Sequence, residues 1–209
     1  MSIIVTIAKS VIEGKAVLIV ETESNGEETQ RVRRRYLSTI DLALVSFFSA
    51  FWIALNFTVA PIGFRLFGLP VVHSIIAFLT LLLTVWATGK YGAATIVGMV
   101  GSAIVLLAGG PLPVIGFAAS SILFDAILIA NHHKINRKLY NTAIVLVATV
   151  MCSYFAGIVN GILILNQPVL FAATLWAGWT VAGGLIGLAV TLPIIAALEK
   201  ADVKKVKAD

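Results

Sequence analysis

Asn56, Arg65, His73, Asn160, Gln167, Trp176 and Trp179 are the residues of this sequence best equipped to hold a small molecule. Amides donate and accept hydrogen bonds, an imidazole does either according to its tautomer, and indole faces stack on flat rings. Aromatic walls with a few amides and an imidazole suit a flat, polar, uncharged heterocycle. Trp176 and Trp179 are three apart, a spacing that puts them on one face of a helix. The ordinary alternative for the set is Trp at a membrane interface and amides capping helix ends.

Other chemistry is thinly represented. There is no paired-carboxylate motif, Gly-x-Ser-x-Gly, phosphate-binding Gly-Lys-Ser/Thr or metal-ligand spacing, so no catalytic residue, metal site or cofactor is expected. The adjacent His132 and His133 point apart on a helix and read as capping or interfacial residues. Cys152 is the sole cysteine, which rules out an internal disulfide and a Cys-based zinc site. Asp41 reads as a first-turn carboxylate within reach of Arg34 or Arg35. Asp125 lies deeper, either paired with a basic or polar group of another helix or serving as a proton or cation site.

The elements that must position these residues are membrane spans. The chain has 209 residues, 59% hydrophobic and 12% charged, with a mean hydropathy of +1.01. A soluble domain carries roughly 25% charge. A spanning helix needs about 20 apolar residues, and six such segments are expected: about 40–60, 69–88, 91–109, 112–131, 140–165 and 169–198. Gly109-Gly110-Pro111-Leu112-Pro113 and Asn166-Gln167-Pro168 are turn chemistry. The fold class is therefore an all-α integral membrane protein, a bundle of six transmembrane helices at 38–199 with a basic tail at 200–209.

Of the 15 Lys and Arg residues, Arg65 alone falls in a connection on the outer side. The rest precede the first helix, sit in the second and fourth connections, or lie in the tail. Lys and Arg near span ends resist translocation, so both termini are expected in the cytoplasm of a multi-pass cell-membrane protein. The formal net charge of +5 sits beside the spans, where anionic headgroups rather than nucleic acid are its partner. No signal peptide is expected, because the first apolar stretch, Ile3 to Ala8, is too short for one.

Residues 1–37 differ from the rest. Segments rich in Val, Ile and Thr separated by Glu13-Gly14-Lys15 and Ser24-Asn25-Gly26-Glu27 read as a β-like hairpin or meander, with a partly disordered tail as the alternative. Small residues recur at four-residue spacing in the spans: Ser46, Ala50 and Ala54; Ala94, Gly98 and Ser102; Gly157 and Gly161; Gly183 and Gly187. Such stripes let helices approach closely. The last three read as packing inside the bundle, and the first as either such packing or an interface with another subunit.

Size, six helices with both ends inside, and the Ala-x-x-x-Ala of Ala50-Phe51-Trp52-Ile53-Ala54 together resemble the substrate-binding S component of an energy-coupling factor (ECF) vitamin transporter. The stretch from Gly92-Ala93-Ala94 through Gly109-Gly110-Pro111-Leu112-Pro113 to Asp125 resembles the hydroxymethylpyrimidine/thiamine-type members in its Gly and Pro placement. The resemblance covers about 38–198. It implies a module that captures a vitamin or precursor from outside and is reoriented by a transmembrane T component driven by two cytoplasmic ATPases. The Ala-x-x-x-Ala face would meet the T component. The ligand would sit near the outer surface, under a lid formed by the loop from Ala60 to Gly68. The β-like N-terminal extension departs from the family's usual short amphipathic start.

The outer half of the bundle holds no Asp or Glu. A cation such as thiamine would lack a counter-ion there, so a neutral pyrimidine, or an anion meeting Arg65, fits better. The alternatives are a self-contained carrier or channel, which predicts an internal repeat that the halves do not show, a membrane scaffold, or a membrane enzyme.

Overall fold

The structure, a computed structural model, describes residues 37–131 and 139–201. The expected N-terminal β-like extension, His132-His133 and the basic tail lie outside the described residues. Among the described residues the fold is all-helical, with no strand.

Six helices follow one another: α1 (Thr39–Phe67), α2 (Val71–Thr88), α3 (Ala93–Leu107), α4 (Val114–Leu128), α5 (Leu139–Val159) and α6 (Val169–Lys200). A 3-10 turn, Ile129–Asn131, extends α4. A π-helical segment, Asn160–Ile164, continues α5, and a second, Ala172–Trp176, lies within α6. Helices α1, α2, α5 and α6 are long and apolar enough to cross a membrane. With 15 residues each, α3 and α4 are shorter, about 22 Å at 1.5 Å per residue.

Connections of a few residues make successive helices antiparallel, and four contacts fix the two ends of the bundle. At one end the Lys90 ammonium, in the α2–α3 turn, pairs with the buried Asp41 carboxylate at the start of α1 at 2.5 Å. There too Trp86 Nε1 of α2 donates to Glu199 of α6 at 3.2 Å. Asp41 does occupy the first turn, where Lys90 of a neighbouring element pairs with it; Arg34 and Arg35 lie outside the described residues. At the other end His73 near the start of α2 meets Asn56 of α1. Beside them Gly116 near the start of α4 meets Asn160 at the end of α5.

Helix α2 lies at the centre, packed against α1, α3 and α6. Its Ile76, Phe78, Leu81, Leu82 and Val85 join Trp52, Val97, Phe117, Phe124 and Leu128 in one apolar core. Thr80, Thr84, Thr88, Thr149 and Thr191 are buried too, each donating its hydroxyl to the carbonyl four residues earlier. That local bond satisfies a buried polar group without a partner on another helix.

The small-residue stripes divide as their surroundings dictate. Ala94, Gly98, Ser102, Gly157, Gly161, Gly183 and Gly187 are buried between helices. A Cβ added at Gly183 would run into the Val71 carbonyl oxygen and Ser74 of α2. Ser46, Ala50 and Ala54 of α1 are exposed, on a face shared with Phe47 and Phe57.

Helix α1 extends past its expected end. The connection expected from Ala60 to Gly68 is helical through Phe67, with Pro61 inside the helix. Pro61 removes one backbone donor, yet an apolar environment favours internal hydrogen bonding of the backbone around it. Gly68 is the effective stop. Its φ of 65° is left-handed, and its N–H bonds the Phe64 carbonyl at 2.8 Å, as glycine does where helices end.

Candidate functional site

A cavity of about 380 Å³ opens among α1, α2, α4, α5 and α6 at the end of the bundle carrying the α1–α2, α3–α4 and α5–α6 connections. This volume falls among small-molecule sites, which run to roughly 300–1,000 Å³. Its walls are mostly apolar, from Ala60, Pro61, Phe64, Pro70, Ala77, Phe78, Pro111, Pro113, Phe117 and Ala156. The polar lining comes from Asn56, Arg65, His73, Ser74, Ser120, Asn160 and Thr180, with Trp176 beside them.

Asn56, Arg65, His73, Asn160 and Trp176, five residues dispersed in sequence, thus meet around one space. Gln167 and Trp179 do not line it. Gln167 lies in the α5–α6 connection, its backbone N–H held by the Gly161 carbonyl at 2.9 Å. Trp179 is 40% exposed on the outside of α6. Three residues along a helix leave an offset of about 60°, enough here to turn one indole toward the cavity and the other away from the bundle.

Each polar wall residue is placed by its helix. Asn56 is 1% exposed, and its Nδ2 lies 3.0 Å from His73 Nδ1. Asn56 Oδ1 and His73 Nε2 are buried without a hydrogen-bond partner. Asn160 accepts the backbone N–H of Gly116 at 3.1 Å, an N–H in the unpaired first turn of α4. Trp176 Nε1 is also buried and unpartnered. A buried polar atom without a partner costs about 1–3 kcal/mol. Unpartnered buried atoms are uncommon enough to need a reason, and three of them belong to residues lining this one cavity, which makes it the candidate site.

The two π-helical segments meet at this site. Asn160 begins one and Trp176 ends the other. They touch at Gly161 of the first, where a Cβ would press into Ala172 and approach Trp176 Cδ1 at 3.5 Å. π-Bulges occur mostly at functional sites; here each brings one polar side chain to the wall.

A second aromatic layer backs the wall. Trp52, fully buried, stacks on Phe117 with centroids 4.5 Å apart and an interplanar angle of 14°. It meets the His73 ring edge-on at 6.2 Å. Trp52, Phe117, Phe78 and Phe64 had no signal as site residues in the sequence, because an aromatic residue in a span suits lipid, core and ligand equally.

Asp125 belongs elsewhere. Its Oδ2 accepts the backbone N–H and the hydroxyl of Thr95, both at 2.7 Å. The carboxylate of α4 therefore caps the first turn of α3, a polar group of another helix, as one of the sequence-based alternatives has it.

Comparison with protein-family models, with curated proteins and with solved structures gives no match.

Proposed function

We propose that this chain is the substrate-capture subunit of an ECF-type importer for a vitamin or vitamin precursor. It spans the cell membrane six times with both termini in the cytoplasm. The observation that carries the reading is the cavity holding the unpartnered atoms of Asn56, His73 and Trp176. It lies at the end of the bundle away from Lys90 and Lys200, the end that the charge distribution assigns to the outside. A capture subunit needs its site there. The short α3 and α4, with 15 residues each, complete their crossings with their flanking turns.

Helix α1 supplies the second support. Of the small-residue stripes, the one on α1 is exposed while those on α3, α5 and α6 are buried. Ser46, Ala50 and Ala54 then form the face that meets a transmembrane T component, which two cytoplasmic ATPases drive. The exposed helical extension with Pro61, Phe64 and Arg65 overhangs the cavity in the place of a loop-like lid.

The test is co-purification. The tagged full chain, expressed with its genomic neighbours, should carry a T component and paired ATPases through solubilisation and purification. A chain that never associates with ATPase-bearing partners and transports alone would be a self-contained carrier.

A further inference from the structure

The hydrogen bond between Asn56 and His73 restricts what the pair offers a ligand. When the amide nitrogen donates to Nδ1, the imidazole proton sits on Nε2, and the pair presents an acceptor (Asn56 Oδ1) and a donor (His73 Nε2–H). Turning the amide over reverses both roles, because Nδ1–H then donates to Oδ1, the amide nitrogen becomes the outward donor and Nε2 the acceptor. Either arrangement of a neutral ring leaves at least one donor and one acceptor.

Charge does not change this. No Asp or Glu is among the residues lining the cavity, so an imidazolium there would be a buried charge without a counter-ion. Trp176 adds a further donor, and Phe78 and Phe117 add flat apolar surface.

We propose that the Asn56–His73 pair is the specificity element of the cavity. It selects an uncharged planar ring that turns both a hydrogen-bond donor and an acceptor toward it, as an aminopyrimidine or a lactam does. This inference rests on the capture-subunit reading and narrows its substrate class. A ligand lacking either group would leave one atom of the pair buried and unpaired, the situation in which a polar site discriminates most strongly.

Two probe pairs test it on the purified full chain in lipid nanodiscs by equilibrium binding. One is 4-amino-5-hydroxymethyl-2-methylpyrimidine against the analogue with methyl in place of the amino group. The other is 2-pyridone against N-methyl-2-pyridone. In at least one pair the first compound should bind roughly tenfold tighter or better, the loss of one hydrogen bond to a buried partner. The substitutions Asn56→Leu and His73→Gln, each checked for thermal unfolding, should shrink that ratio severalfold.

Equal affinity within both pairs overturns the inference, as does binding of none of the four compounds, or a preference unchanged in a folded variant. The capture reading is judged separately by native mass spectrometry of the ligand that co-purifies. Ala77→Trp, which fills the cavity, should remove that ligand; its retention would remove the cavity as the binding site and sink the reading itself.

Discussion

Asn160 holds the backbone N–H of Gly116 at 3.1 Å while its side chain lines the cavity. One amide therefore ties the end of α5 to the start of α4 and forms part of the cavity wall. Asn160→Leu leaves the Gly116 donor buried without a partner, at about 1–3 kcal/mol. The substitution should lower the thermal midpoint in detergent and weaken ligand binding together. A midpoint unchanged from the parent would show that the bond carries no stability.

Gly161, in the first π segment, lies against the second. Gly161→Leu places a branched side chain against Ala172 and Trp176, forcing α5 and α6 apart. Ligand affinity should fall tenfold or more, with a shift in tryptophan emission as the Trp176 indole moves. Retained affinity would mean that the close approach of the segments is not needed for the site.

Exposed and buried stripes should respond differently to bulk. Gly183→Leu drives a side chain into Val71 and Ser74 and should prevent the bundle from forming, seen as loss of the monodisperse peak in size-exclusion chromatography. Ala50→Trp combined with Ala54→Trp projects from an exposed face. It should leave folding and ligand binding intact and abolish capture of the T component and ATPases. Loss of binding and of partners together would place the α1 stripe inside the fold.

Asp125→Ala should destabilise by about 0.5–2 kcal/mol, the usual cost of losing a helix cap, because Thr95 loses its acceptor. Chemical unfolding in mixed micelles measures this. Ligand affinity should stay within twofold of the parent; a stable variant with lost uptake would point to ion coupling at Asp125.

The sequence made much of this legible, and the gaps have physical causes. Turn chemistry at 109–113 and at 166–168 marks helix ends closely, since glycine and proline act through the local backbone. Pro61 misleads because a helix tolerates one missing donor where no better partner is at hand, and the signal that ends α1 is the left-handed Gly68 seven residues on. Asn56, His73, Asn160 and Trp176 stand out by rarity in apolar spans. Gln167 and Trp179 share that rarity but face elsewhere, a matter of helix rotation and of π segments that local composition does not encode. Phe78 and Phe117 are silent because burial in core and burial against a ligand ask the same of an aromatic ring. The Asp41–Lys90 pair joins residues 49 apart in sequence, a separation that no local pattern reveals.

Arg65 offers a check on sidedness. It is exposed on the overhanging end of α1, and the single native cysteine, Cys152, is buried. Arg65→Cys in intact cells should react with a membrane-impermeant maleimide and be shielded when ligand is bound. Labelling only after the membrane is breached would invert the topology.

The most direct measurement is native mass spectrometry of the full chain released from its membrane, with and without Ala77→Trp. The parent should carry one small uncharged heterocycle that the variant lacks at equal folding. A parent that emerges empty and stays empty when the growth medium is rich in vitamins and their precursors, or a variant that keeps its ligand, would contradict substrate capture at this cavity.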